Sequence, residues 1–488
     1  MKHRVVRFLI KVVRLIIVMV AVAILFLTIL FFLVTSPPKE NQQNDNVIND
    51  VTGLNSIHTR KVHEPTTVTE ITDLIRNFDG PVSIGGARHS MGGQIGLDSS
   101  LHLDMRKFNQ VIAFSDASKE ITVQSGITWR EVQEFIDPYN LSVMIMQTYA
   151  NFTVGGSLSV NVHGRYIGHG AIVHSVRSIR VVLPDGELIN ASPSENSKMF
   201  YGSIGGYGGL GVIVEATLKL ADNCRVKRES SVIPYADYYD YFMKNIRNDS
   251  LVIFHNADLY PNSYDEVRSV SYKKTEMPVT IEDRLKPMDK SYRFERFAMY
   301  LVSEMPGGKW IRHHWGDPII YDLEQVKWRN FEASFDALEL EPSSREQSTY
   351  VLQEYFVPVE HFNSFVPKIA KIFNDHDVNV INVSVRHAKA DTVTMLSWAP
   401  QEVFCFVIYY KQETSKEEML RAGVWTRELI DAALSEDGRY YLPYQLHATT
   451  EQFEKAYPNH GEFFQLKQEV DPQRRFLNRM WEKYYVPK

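Results

Sequence analysis

Val82-Ser83-Ile84-Gly85-Gly86-Ala87-Arg88-His89-Ser90-Met91-Gly92-Gly93 decides how this chain is read. A short apolar strand runs straight into a loop with glycine at both ends. Glycine lacks the Cβ that would hold a ligand off the backbone, so such a loop can wrap its N–H groups around a phosphate. The flanks are regular. Thr67 with Glu70 three residues on is a helix-capping pair, and Val68, Ile71, Leu74, Ile75 and Phe78 fall on one helical face up to the stop at Asp79-Gly80-Pro81. Beyond the loop, Leu101, Leu103 and Met105 alternate, as do Ile121 and Val123, and Thr128 with Glu131 opens another helix. Helix, strand, loop, strands and helix in that order predict an α+β domain.

Two more glycine-rich loops follow, at 153–164 and 205–211. In the last, Gly206, Gly208 and Gly211 satisfy GxGxxG, which in a Rossmann unit holds a pyrophosphate between a strand and a helix. The next residues argue against that unit. Val212, Val214, Ala216, Leu218 and Leu220 alternate with Glu215, Thr217 and Lys219, which is the period of a strand rather than a helix.

Three such loops in this order, spaced by these patterns, resemble the FAD-binding domain of the vanillyl-alcohol oxidase or p-cresol methylhydroxylase (PCMH-type) flavoprotein family over about residues 66–222. The resemblance implies FAD as cofactor. Carried over, the first loop (Gly85, Gly86, Ala87, Arg88, His89, Ser90) cradles the pyrophosphate, and the second (Gly155, Gly156, Ser159, His163, Gly164) runs along the ribityl chain and ring. The third, through Gly206, Gly211 and Ile213, also contacts the cofactor. Gly-Ala-Arg-His-Ser is similar to the alditol and aldonolactone oxidases, in which this histidine bonds the flavin 8α carbon. His89 is therefore expected to carry FAD covalently, the alternative being a histidine that hydrogen-bonds a phosphate. For His163 a catalytic and a structural role stay open.

After Asp222 the glycine loops end, and 223–437 looks like the antiparallel-sheet cap or substrate domain of the same family. Residues 353–358 and 384–387 resemble its flavin-facing strands, and 438–488 resembles the end of aldonolactone oxidases and decaprenylphosphoryl-ribose oxidase, where the chain returns to the flavin. Two departures bear on substrate: Tyr444 stands where the latter enzyme has lysine, and no His-Trp-Gly-Lys segment occurs here. Arg386, His387, Tyr444, Gln445 and His447 are the expected substrate-orienting groups, with His447 or His387 as base because imidazole titrates near neutral pH. The expected reaction is oxidation of an alcohol group of a sugar, polyol, lactone or prenyl-linked sugar, by hydride transfer to flavin N5. Alternatives are a flavin-dependent double-bond reductase of a sterol or prenyl lipid, and a non-enzymatic flavin-stabilised envelope protein. The acceptor is oxygen or a membrane quinone. Val162 is bulkier than the small residues of oxygen-reactive relatives.

The whole chain sets bounds. Its 488 residues exceed one ordinary core, and a formal charge of -6 leaves no footprint for nucleic acid. Cys224 and Cys405 lie outside any ligand spacing, so no metal site is expected, and they are either two thiols or one disulfide. His313-His314 has no further ligand at metal spacing. Residues 15–34 form an uncharged apolar run of about 20 residues, enough to cross a bilayer as a helix. Lys2, Arg4, Arg7, Lys11 and Arg14 precede it, which predicts a cytoplasmic terminus (1–14), a transmembrane anchor (15–35), a polar linker (36–56) and an extracytoplasmic body. A cleaved signal peptide is the competing reading. Of the Asn-x-Ser/Thr sequons, the one at Asn151 falls in a flavin loop, which favours a bacterial periplasm over a glycosylating compartment.

Overall fold

The computed structural model describes residues 2–35, 45–288 and 292–485. The first loop grows out of a three-stranded parallel sheet, in which Leu101–Asp104 lies between Lys61–His63 and Val82–Gly85. Ile71 and Ile75 of the helix Val68–Asn77 cover this sheet, and Thr67 caps the helix by accepting the Glu70 N–H. Thr128 and Glu131 form the full reciprocal box ahead of Trp129–Ile136. The alternating run after the third loop is the strand Val212–Asp222. It is central in a six-stranded antiparallel sheet, flanked by Val176–Val182 and Glu120–Gln124. The GxGxxG segment thus opens a strand, as its period predicted.

The second half builds an eight-stranded sheet whose pairs are all antiparallel. Three successive strands of it, Val380–Ala388, Val403–Glu413 and Ser348–Pro358, position the site. Side chains alternate across a sheet, so these strands have two distinct faces. One carries Gln353, Tyr355, Phe404, Phe406 and Tyr410, and packs on the helices Phe362–Asp375 and Lys416–Leu434 through pairs such as Phe365–Phe406 and Tyr410–Trp425. The opposite face, with Tyr350, Leu352, Glu354, Arg386 and Tyr409, looks into a cavity against the glycine loops.

The C-terminal segment ties the two halves together. Arg439–Tyr440 adds an edge to the sheet beside Tyr355 and Phe356. The chain then crosses to the first loop, where Met91 N–H donates to Pro443 O (2.7 Å) and Gln94 Nε2 donates to Leu442 O (2.6 Å). Residues 471–476 make the turn that packs the tail: Arg475 O accepts from Val82 N–H at 2.6 Å, and buried Asp471 accepts from Arg475 and Phe476 N–H.

One expectation changes. Of the stretch read as a polar linker, 36–44 lies outside the described residues. From Asp45 it is folded: Val47–Ile48 pairs with Ile57–His58, Ile48 and Ile57 are buried with Ile95, and Val51 N–H donates to Arg88 O. Both cysteines are free thiols. At the N-terminus a single helix runs over Lys2–Val34, and its Val6–Val34 part is long and apolar enough to cross a membrane.

Candidate active site

Two adjoining cavities lie where the halves meet. The larger, about 1300 Å³ of empty space, is walled by the first loop from Gly85 to Met91, by Ser159, Val162 and His163, and by the cavity face of the sheet. A second, of about 590 Å³, continues from it past Gly155, Gly156 and the third loop to Gly211 and Ile213. Gly85, Gly86, Gly156 and Ser159 line both, so the two form one elongated space. The glycines matter first for loop-on-loop packing. A Cβ on Gly86 would sit 2.1 Å from Thr153 Oγ1, and one on Gly164 2.1 Å from Met146 O. Gly164 and Gly206 do not line either cavity; they let the loops that do so come together.

An elongated dinucleotide fits this space on one concrete observation. Ser125 Oγ and Ser203 Oγ are buried in the wall of the second cavity with no partner among the described residues. Buried hydroxyls without partners are costly, and a bound phosphate or sugar would satisfy them. At the other end, Arg88 adopts a left-handed backbone (φ 62°), held by its guanidinium on Asp104 at 2.7 Å. The next residue, His89, faces the larger cavity and stacks on Phe152, ring centroids 3.8 Å apart. Burial, with Arg345 nearby, pushes its pKa down to about 3, so its imidazole is neutral at physiological pH.

The sheet wall holds a chain of polar groups that sequence reasoning only half found. His163 Nε2 lies 2.5 Å from Glu354 Oε1, its Nδ1 lies 3.2 Å from Gly164 O, and the Tyr444 hydroxyl donates to Glu354 Oε2 at 3.3 Å. Trp398, Phe356 and Tyr441 enclose the imidazole. Cys405 Sγ is close enough that the three ligand-type atoms lie within 4.8 Å of one another, and His163 and Glu354 are in direct hydrogen-bond contact. Arg386 stands on the same face, its Nε buried without a partner among the described residues. Burial pushes Tyr149, also in the wall, up to about 12 and raises Tyr444 well above the usual phenol range. Both therefore stay protonated donors.

Three expected substrate groups sit elsewhere. His387 follows Arg386 on its strand, so it points to the opposite face, where Nε2 meets Glu402 at 2.6 Å among Phe242 and Phe404. That pairing, with Arg247, holds the Glu402 carboxyl down at about 2. His447 packs beside Gly423 of the helix Lys416–Leu434, outside both cavities. Burial there, with Lys483 and Arg427 near, lowers its pKa to about 4. Gln445 donates to Met91 O and straps the tail to the first loop. Neither histidine lines the two cavities. His313 likewise has a packing role, stacked 3.6 Å from Tyr260.

Comparison with known proteins agrees with this architecture. Residues 59–192 match the FAD binding domain family, and 336–484 match the D-arabinono-1,4-lactone oxidase family. L-gulonolactone oxidase of Scyliorhinus torazame is 22% identical, the match covering 86% of this chain and 94% of that one. The mouse enzyme of the same name is also 22% identical, over 87% and 94%. D-arabinono-1,4-lactone oxidase of Yarrowia lipolytica matches at 24% over 35% of this chain and 34% of its own. Among solved structures, a solvent-stable cholesterol oxidase superposes with a TM-score of 0.69 at 16% identity, covering 91% and 98% of the two chains, which shows the shared fold. The chain's homologues are PCMH-type FAD oxidoreductases. They include L-gulonolactone and D-arabinono-1,4-lactone oxidases, and this chain is an FAD-dependent oxidoreductase.

Proposed function

We propose that the enzyme oxidises a secondary alcohol on a sugar lactone or related polyol, with FAD lying along the two cavities and joined to His89. The observation that carries this reading is the Tyr444–Glu354–His163 chain on the cavity wall beside Arg386. Bound there, FAD would supply the redox chemistry, as acceptor of the two electrons that leave the carbinol. The protein's part is to hold the carbinol and receive its proton. Glu354 takes the hydroxyl proton, and His163 Nε2 shares it. Tyr444 donates to the second carboxylate oxygen and fixes its direction. The Arg386 guanidinium and the protonated Tyr149 orient the substrate oxygens. Phe152, Leu352, Tyr409 and Tyr441 line the space and exclude water.

A neutral His89 imidazole has the lone pair that attachment to the flavin 8α carbon requires. The relatives are lactone oxidases, which supports an oxidase, with oxygen as acceptor and a membrane quinone as the other outcome. The Lys2–Val34 helix would anchor the body to a bilayer, and the basic residues of its first half favour a cytoplasmic N-terminus and a periplasmic body.

The test is anaerobic titration of the purified full chain with L-gulono-1,4-lactone, D-arabinono-1,4-lactone and simple alditols, followed by admission of air. Bleaching of the flavin band by one of them, and recovery within seconds, is expected. Flavin reduced only by a reduced nicotinamide would sink the reading in favour of a double-bond reductase. Acid precipitation should leave flavin on the peptide that contains His89.

A further inference from the structure

The helical run between the strands Glu266–Lys274 and Val326–Trp328 turns an apolar face to solvent. Phe294 is 79% exposed, Trp315 63%, Ile319 66% and Leu323 61%, with Trp310 and Ile311 above half. Of the chain's seven tryptophans, Trp310 and Trp315 are the two that stand exposed, whereas Trp129, Trp398, Trp425 and Trp481 are buried. The run is firmly seated from behind. Arg312 donates to Ile381 O and Asn382 Oδ1, both at 3.0 Å, and His313 stacks on Tyr260. Its outer face is therefore a built surface, of a kind that marks an interaction site.

What covers it follows from where the N-terminal helix ends. Phe31 packs on Phe294 and Phe297 at 5.4 and 5.3 Å, and Arg293 Nε donates to Thr35 Oγ1 at 3.1 Å. Ser343 Oγ donates to Val34 O. The last turn of the apolar helix is thus planted on the start of the exposed run and on the segment 337–345, which rims the active-site cavity. A groove of about 1090 Å³ joins them: Leu33 and Val34 line one end, and Glu341 and Tyr350 line both the groove and the active-site cavity. Arg296, also in this groove, has its Nε buried with no partner among the described residues.

We infer that the face from Phe294 to Leu323 lies in the headgroup and acyl boundary of the bilayer that the N-terminal helix crosses. The groove beside it opens the active site to lipid. Tryptophans at the polar boundary and an apolar face continuous with the N-terminal helix fit that occupant. The inference rests on the reading of Lys2–Val34 as a membrane anchor.

The experiment uses the full chain in phosphatidylcholine nanodiscs, on a Cys224→Ser background. Trp315→Cys, Ile319→Cys, Ser344→Cys at the groove and Ser118→Cys in a distant hairpin each carry an environment-sensitive fluorophore. Doxyl-labelled phosphatidylcholine should quench the labels at 315, 319 and 344 by about half, as expected for side chains seated at the acyl boundary, and leave 118 unchanged. Quenching at 315 and 319 no stronger than at 118, with the protein still in the disc, overturns the seated face. Quenching at those two without 344 overturns the lipid entrance. Protein that elutes apart from the discs shows instead that the anchor reading has failed, and the inference with it.

Discussion

The two walls of the active-site cavity are made in opposite ways. The loop wall is backbone: its shape depends on places where any side chain would collide, such as Gly86 against Thr153. The sheet wall is side chain: Glu354, Arg386, Tyr409 and Leu352 project from an ordinary antiparallel sheet, and nothing in its backbone singles them out. A backbone wall suits a cofactor that every member of the class shares. A side-chain wall can change its substrate by substitution without disturbing the fold.

The sharpest way to break this contrast is Glu354→Gln. If the sheet wall carries the proton chemistry, turnover falls roughly 10²- to 10⁴-fold while FAD content stays at that of the parent. Equal activity, measured by anaerobic flavin bleaching, would move the base elsewhere. On the loop wall the effect should invert. Gly86→Ala forces a contact that Thr153 can relieve only by moving, which costs about 1–3 kcal/mol of stability and loosens FAD. Thermal melting and flavin content read both, and the little enzyme that keeps FAD should turn over normally.

Acid should separate stability from chemistry. Burial lowers the pKa of both His102 and His255 from 6.5 to about 3. Between those values the unfolded chain binds protons that the native state refuses, so stability falls as pH drops from 6.5 towards 3. The slope is about 1.4 kcal/mol per pH unit for each histidine. Melting temperatures across that range should show it, and a flat profile would mean that neither histidine is held neutral. The smallest effect is expected at His447→Gln, with turnover unchanged, because the ring lies outside both cavities. Any large loss there would reinstate it as the base.

Much of the loop wall was legible before folding. Thr67–Glu70 and Thr128–Glu131 marked helix starts, and the alternation after Gly211 excluded a Rossmann unit, because local hydrogen bonds and side-chain period follow from neighbouring residues. His89 was visible for the same reason, by its place within a contiguous loop. The sheet wall was not. Residues 353–358 are buried on both faces of their strand, so no alternation separated Glu354 from Gln353 or Tyr355. Arg386 and His387 looked equivalent in the sequence, and only the register against Cys405 and Phe404 sends one to the cavity and the other to Glu402.

By itself, then, the sequence determined the three loops, the cofactor they hold and a helix apolar enough for a membrane, all properties of contiguous residues. Tertiary structure decided which carboxylate meets His163, which histidines lie outside the cavities, and that the segment from Asp45 packs against the first loop. Those outcomes depend on strand register and on contacts between residues 191 positions apart, as for His163 and Glu354, which no local pattern records.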